Sequence, residues 1–274
     1  MKKSNVTFWT IGCLVLALSL LSSCDKVFDV HPYDVNVNGE KNVNAKQIAK
    51  IEEATKNKQT IRFAFISDSH QWLNDLSDEV KDINSRQDID FVIHGGDMTD
   101  FGATKEFEWT RDRLKKLKMP FVALLGNHDC LGTGTRSYKV IFGDPDFSFI
   151  AGRVKFVCLN TNAIEYDYSQ AVPNFDFIKQ QWTANADDFD RSVVCMHAPP
   201  FCEQFNNNVA DPFNYYIHQL PHLLFCLDGH GHHIRMEDYY DDGTTFYMTA
   251  CAKERKYLIF TITPDDYSYE IIEF

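Results

Sequence analysis

Phe121-Val122-Ala123-Leu124-Leu125-Gly126-Asn127-His128-Asp129 is the stretch on which the fold turns. Five apolar residues of strand type run without a polar interruption, then give way abruptly to glycine and three side chains rich in donors and acceptors. An unbroken apolar run of this length reads as a strand buried on both faces, the kind found in parallel sheets covered by helices. In such sheets ligands bind beyond the carboxyl ends of the strands. Gly126 to Asp129 occupy that position.

Four other apolar runs end in the same way. Ile61–Ile66 leads to Asp68-Ser69-His70, and Phe91-Val92-Ile93 to Gly95-Gly96-Asp97, with Asp100 close behind. Val193–Met196 is capped by His197, and Leu223–Leu227 leads to Asp228-Gly229-His230-Gly231-His232-His233. Between the second and third runs Phe107, Thr110, Leu114 and Leu117 share one helical face. Further strands are expected at 154–159, 192–196, 223–227, 244–249, 257–263 and 267–273. Alternating strands and helices predict an α/β core, and the last three strands, with almost no helix between them, predict an antiparallel section. No linker interrupts residues 60–274, which read as one domain.

Each cluster alone has a bland reading. An Asp after a strand is usually a turn residue or a helix cap. A lone His197 is ordinary, and glycine-rich turns are common. The weight lies in the ordered set, because chance would have to supply all five clusters in sequence.

Composition narrows the field. The chain of 274 residues is 44% apolar and 24% charged, as in ordinary globular domains, and its 22 Phe and 12 Tyr favour strands. With 27 basic and 39 acidic side chains its net charge is −12, and no basic cluster offsets this, so binding to a nucleic-acid duplex is not expected.

The N-terminus reads as a targeting segment. Lys2 and Lys3 precede an apolar run from Phe8 to Leu21, shorter than the roughly 20 residues of a membrane span. Leu21-Ser22-Ser23-Cys24 then resembles a bacterial lipoprotein signal, with Cys24 lipidated and 1–23 removed. This predicts export and lipid anchoring to a membrane of the bacterial cell envelope. Residues 24–59 are expected to be a tether ending in a short helix over Ala45–Lys58, with Asn44 as its cap. Export permits disulfides among the six remaining cysteines, but Cys158, Cys195 and Cys226 lie in apolar runs where a thiol serves as a small hydrophobe, which leaves pairing open.

Asp-x-His, Gly-Asp, Gly-Asn-His-Asp, a lone His and Gly-His-x-His, in that order over residues 68–232, resemble the calcineurin-like metallophosphoesterase superfamily. The resemblance covers about 60–274. It implies a four-layer αββα sandwich of two mixed sheets with a dinuclear metal site at the sheet edge. It implies that Asp68, His70 and His232 hold one metal and Asn127, His197 and His230 the other, with Asp97 bridging. His128 would stand near the leaving group as a catalytic acid, and Asp129 would orient it. A donor set of imidazoles, carboxylates and one amide oxygen suits Mn, Fe, Zn or Ni, whereas Ca or Mg takes an all-oxygen cage.

The implied reaction is hydrolysis of a phosphoester, mono or di, on a phosphorylated small-molecule or nucleotide-like substrate, with water activated by the two metals. The alternative is a surface lipoprotein of the same fold that binds metal without catalysis. A zinc peptidase is disfavoured, since no His-Glu-x-x-His occurs. Thr99 and Asp100 are candidates either for a supporting layer or for the cap of a helix near 104, and His94 for a structural or supporting role. Phe201, Phe205, Phe213, Tyr215 and Tyr216, with Tyr166 and Tyr168, are candidates for a substrate rim.

Overall fold

A computed structural model of the chain describes residues 34–166 and 169–274; the expected signal, Cys24 and Tyr168 lie outside them. Residues from Val35 to Phe274 form one compact unit. The chain order is α1 (Val43–Thr55), β1 (Ile61–Ile66), α2 (Leu73–Ser85), β2 (Phe91–His94), α3 (Thr104–Leu114), β3 (Phe121–Ala123), α4 (Gly134–Ile141), β4 (Phe147–Ala151), β5 (Val154–Leu159), α5 (Phe175–Gln181), β6 (Arg191–Met196), α6 (Ala210–Ile217), β7 (Leu223–Asp228), β8 (Arg235–Glu237), β9 (Phe246–Met248), β10 (Lys256–Ile262) and β11 (Tyr267–Glu273).

Two mixed sheets form, ordered β11-β10-β1-β2-β3 and β4-β5-β6-β7-β9-β8. Side-chain alternation along each strand builds the layers. Phe63, Phe65, Phe91 and Ile93 of the first sheet meet Phe156, Cys195, Phe225 and Leu227 of the second in one core. Phe63 stacks on Phe91 and Phe260 at 5.0 and 5.4 Å and meets the edge of Phe156 at 5.3 Å. Burial of each such ring contributes ~1.5–3 kcal/mol. The opposite parity, Ala64, Ile66 and Val92, packs under α2, α3 and α4. Val157, Val194 and Cys226 pack under α5 and α6. The expected αββα sandwich of mixed sheets is therefore the observed one.

Several elements depart from expectation. The amphipathic helix α2 escapes the sequence reading because Glu79 sits among Leu76, Val80 and Ile83 on its buried face. Strand β4 was not foreseen. The expected strand at 244–249 is β9, only Phe246–Met248, and it runs parallel to β7 in the second sheet rather than joining an antiparallel trio. The last two strands do form an antiparallel hairpin, and β10 lies antiparallel to β1.

The segment expected as a tether is docked from Val35 onward. Val37 is buried, and Arg111 donates to the carbonyls of Asn38 and Glu40 at 2.7 and 3.0 Å. Asn44 does not cap α1; it lies inside the first turn, and Asn42 occupies the cap position. The Asn44 amide instead donates to Ala123 O (2.9 Å) and accepts from Ala123 N (3.0 Å), closing the free edge of β3 as another strand would. Among the described residues all six cysteines are free thiols, and no helix is long and apolar enough to cross a membrane.

Candidate metal centre

The carboxyl ends of β1, β2 and β3 in one sheet and of β6 and β7 in the other open onto the same edge. The loops that follow carry all five clusters. Backbone conformation aims them: Asp68, His70, Asp97, His230 and His232 all have φ between 42 and 68°, a region that non-glycine residues seldom occupy. Such strain costs of order 1–3 kcal/mol per residue and persists where the surroundings over-determine it. Close approach does the rest. A Cβ on Gly126 would fall 2.1 Å from Asp97 N, so only glycine lets the third loop meet the second.

Two candidate ligand sets result. Ligand atoms of Asp68, His70, Asp97 and His232 gather within 4.8 Å of one another, and so do those of Asp97, His197 and His230. His70 Nε2 lies 3.3 Å from His232 Nε2 and 3.6 Å from Asp97 Oδ2. On the other side His197 Nε2 lies 3.2 Å from the same Asp97 oxygen and 3.0 Å from Asn127 Oδ1, which is also 3.0 Å from His230 Nδ1. Asp97 Oδ2 is therefore common to both sets. All seven residues expected as metal ligands are brought together.

The surrounding bonds set which ring nitrogen faces inward. A backbone carbonyl can only accept, so Gly95 O, 2.9 Å from His197 Nδ1, fixes the proton there and frees Nε2. Thr99 O does the same for His70 Nδ1 at 3.1 Å, with the Asp100 carboxylate 3.2 Å from that nitrogen. Asp100 thus supports His70 and does not cap α3; Glu106 bonds the Phe101 and Ala103 amides instead. His94 lies beneath, bonded to Ser69 Oγ, and burial pulls its pKa down to about 4, so it is neutral. Glu203, unforeseen in the sequence, meets His230 Nε2 at 2.9 Å. No motif marks it, since it comes from an irregular loop.

The donor set fits cations. Burial pushes Asp68 and Asp97 toward the neutral form, but the imidazoles outweigh it: His232 and His197 hold Asp68 below the usual carboxylate range, and His197 does so for Asp97. Asp68 Oδ1 is buried without a hydrogen-bond partner, 3.3 Å from His232 Nε2. Burial lowers His197, yet the charges of Asp97 and Asp68 raise it to about 10. Two buried carboxylates thus impose a field that demands positive charge.

His128 is half-buried beside the cluster. Its N–H donates to Asp97 Oδ1 (2.9 Å), its Nδ1 meets Asp100 O at 3.0 Å, and its ring lies 4.8 Å from that of His70. The expectation that Asp129 orients it is not met. Asp129 points inward and accepts from the amides of Met98, Thr99 and Gly126 and from Thr99 Oγ1, pinning the second loop to the third. Burial, then the charge of Asp97, raises its pKa to about 7. The Asp100 carbonyl orients His128 instead. Of the aromatic rim candidates, Phe205 and Phe213 are core, Tyr216 packs on Phe175 and Trp182, and Tyr166 packs against the core between the first sheet and its helices, while Phe201 and Tyr215 are exposed.

The profile of the calcineurin-like phosphoesterase family matches residues 61–233, the span holding every one of these clusters. The chain belongs to the calcineurin-like phosphoesterase family. Calcineurin-like phosphoesterases use a dinuclear metal site, and the shared Asp97 sits where two ligand sets join. Solved structures show the same fold at low identity. A dimetal phosphatase from Danio rerio has a TM-score of 0.59 and 12% identity over 78% of this chain and 97% of its own. Purple acid phosphatase PPD1 from seeds of yellow lupin, Lupinus luteus, scores 0.60 at 12% identity, over 78% of this calcineurin-like chain and 51% of the lupin enzyme. GAP50, the anchor in the inner membrane complex of Plasmodium, scores 0.54 at 12% identity, over 79% and 85%. No curated protein matches the chain in sequence.

Proposed function

We propose that the protein is a metal-dependent phosphoric ester hydrolase acting on a phosphorylated small-molecule or nucleotide-like substrate. The observation that carries this reading is Asp97 Oδ2, 3.6 Å from His70 Nε2 and 3.2 Å from His197 Nε2. One carboxylate oxygen between two imidazole sets is what a pair of cations sharing a bridge requires. Asp68, His70 and His232 would hold one ion and Asn127, His197 and His230 the other, with Mn, Fe or Zn favoured by the donor types. When bound, two such ions position the attacking and leaving oxygens and lower the pKa of water.

The chain's own residues do the remainder. Gly95 O and Thr99 O hold the imidazoles of His197 and His70 in register, so the ligand atoms are preorganised. His128, held at Nδ1 by Asp100 O, presents its other ring nitrogen to a leaving group and acts as general acid. At the other end of the chain, Cys24 is proposed as the lipidation site that anchors the exported protein to a membrane of the cell envelope.

The test is the full chain reconstituted with Mn, Fe or Zn and offered a chromogenic phosphomonoester, a phosphodiester and a peptide, with metal content by elemental analysis. Two metals per chain and turnover of at least one phosphoester are expected. Two metals without turnover would make it a non-catalytic binder of the same fold, and peptide cleavage would overturn the reading.

A further inference from the structure

Trp72 and Lys253 border the metal centre without belonging to either ligand set. Trp72 follows His70 by one intervening residue. Its amide donates to Ser69 O (2.9 Å) and its carbonyl accepts from Leu76 N (2.9 Å) as α2 begins, which fixes the backbone on both sides. The half-buried indole meets His70 and His232 nearly edge-on, at centroid distances of 5.4 and 5.8 Å. Lys253 stands over the same indole, Nζ 5.7 Å from the ring centroid.

The placement of Lys253 is fixed by the site itself. It lies on the short turn Ala252–Glu254. Just before it Cys251 N donates to His232 O at 3.4 Å, and Ala252 N to Asp68 O at 3.3 Å. The turn therefore hangs from the backbones of two proposed ligands. In a chain of net charge −12, this ammonium forms no ion pair among the described residues. An exposed cation–π contact is weak, so the ammonium is free to turn toward an anion.

Position relative to His128 gives the contact its meaning. His70 has the ring of His128 on one side at 4.8 Å and that of Trp72 at 5.4 Å. The proposed acid and Trp72 thus both contact the ring of one proposed ligand, His70. We propose that Trp72 and Lys253 form a leaving-group subsite that selects phosphoesters whose leaving group is flat and apolar and carries its own negative charge. The indole supplies the platform and the ammonium the counter-charge. This rests on the hydrolase reading above.

The test compares phenyl phosphate with 4-carboxyphenyl phosphate, which adds one carboxylate to the leaving group, using the full, metal-loaded chain and reading each variant's ratio against that of wild type. An ammonium and carboxylate ~4 Å apart in water should favour the carboxylated ester in kcat/KM by about fivefold. That ratio should fall toward one in ~0.5 M salt, where screening acts within about 3–5 Å. Lys253→Gln should abolish the preference, Lys253→Glu should reverse it, and Trp72→Phe, with metal content checked, should weaken both esters more than it weakens methyl phosphate. Calorimetric titration with benzylphosphonate and its 4-carboxy derivative, neither of which is hydrolysed, should rank the same variants in the same order. A ratio unchanged from wild type to Lys253→Glu, in kinetics or calorimetry, overturns the subsite and leaves the hydrolase reading intact. Hydrolysis of no phosphomonoester and no phosphodiester with any metal overturns the hydrolase reading, and the calorimetric ranking then decides the subsite alone.

Discussion

Asp97 and His197 face each other across 3.2 Å, Oδ2 to Nε2, although one follows β2 in the first sheet and the other follows β6 in the second. Both are buried. The site is thus a clasp between the two sheets, and its central contact exists only if the sandwich closes. Gly96 makes the closure possible: at φ 106°, a Cβ there would stand 2.7 Å from His197 Nδ1.

Removal of the shared oxygen should be felt by both ligand sets. Asp97→Ala is expected to lower the affinity of both metals, whereas His232→Ala should weaken mainly the one held with Asp68 and His70. Elemental analysis of purified variants after graded chelation reads this directly. Two tightly held metals in Asp97→Ala would contradict the shared-ligand assignment.

A second outcome concerns the edge of the first sheet. The two bonds between the Asn44 amide and the Ala123 backbone are buried, and Asn44→Ala leaves the Ala123 N–H of an edge strand unsatisfied, while the Ala123 carbonyl keeps the Tyr138 hydroxyl at 2.7 Å. A loss of ~1–3 kcal/mol is expected. Urea unfolding should show it. Removal of residues 1–59 should cost far more by the same measure, because Val43 and Ile51 of α1 belong to the two cores that flank the first sheet.

Much of this was legible in the sequence because apolar runs and polar clusters alternate cleanly. The strands ending at Asp68, Asp97, Asn127, His197 and His230 are short and apolar on both faces, so their ends were readable and the site followed from them. What was hidden is what depends on contacts between distant segments. Asn44 read as a cap, since a cap is the local use of asparagine; its bond to Ala123 is a tertiary one. Asp129 read as a partner of its neighbour His128, but adjacent residues on a tight turn point apart, and it serves Met98 and Thr99 instead. Glu203, Trp72 and Lys253 reach the site from loops that carry no pattern.

Glu79 gives a pH prediction. Its carboxyl is buried on α2 with neither oxygen hydrogen-bonded, and burial, reinforced by Asp82 and Asp75 and opposed by Arg255, raises its pKa well above the ordinary value. In acid both folded and unfolded chains hold the proton, and the group costs nothing through ionisation. As pH rises past the ordinary carboxyl range the unfolded chain ionises while the folded one does not, so stability falls. Glu79→Met should therefore stabilise by ~1–3 kcal/mol near pH 7.5 and by clearly less near pH 4. Urea midpoints at the two pH values check it, and a gain independent of pH would mean that packing alone is responsible.

For the proposed membrane anchor, Cys24→Ser should leave the full-length precursor without lipid, since no other cysteine follows the apolar run closely. Metabolic labelling with a fatty acid in a bacterial host distinguishes the two forms. Label retained in the variant would place the anchor elsewhere.

His128 offers the sharpest chemical test. Asp97 Oδ1 holds its amide and Asp100 O its Nδ1, while no second bond engages Nε2 among the described residues. It is also absent from both ligand sets. If it protonates the leaving group, its worth depends on how badly that group needs a proton. An alkoxide leaves poorly without one, whereas nitrophenolate leaves readily. Proton transfer by a positioned side chain contributes typically ~10²–10⁴-fold. His128→Asn should therefore lose kcat/KM in that range on alkyl phosphoesters and much less on nitrophenyl ones, with metal content unchanged. Equal losses on both substrate types, metals retained, would remove the acid role and leave His128 as a substrate-positioning residue. Loss of metal would make it a ligand after all.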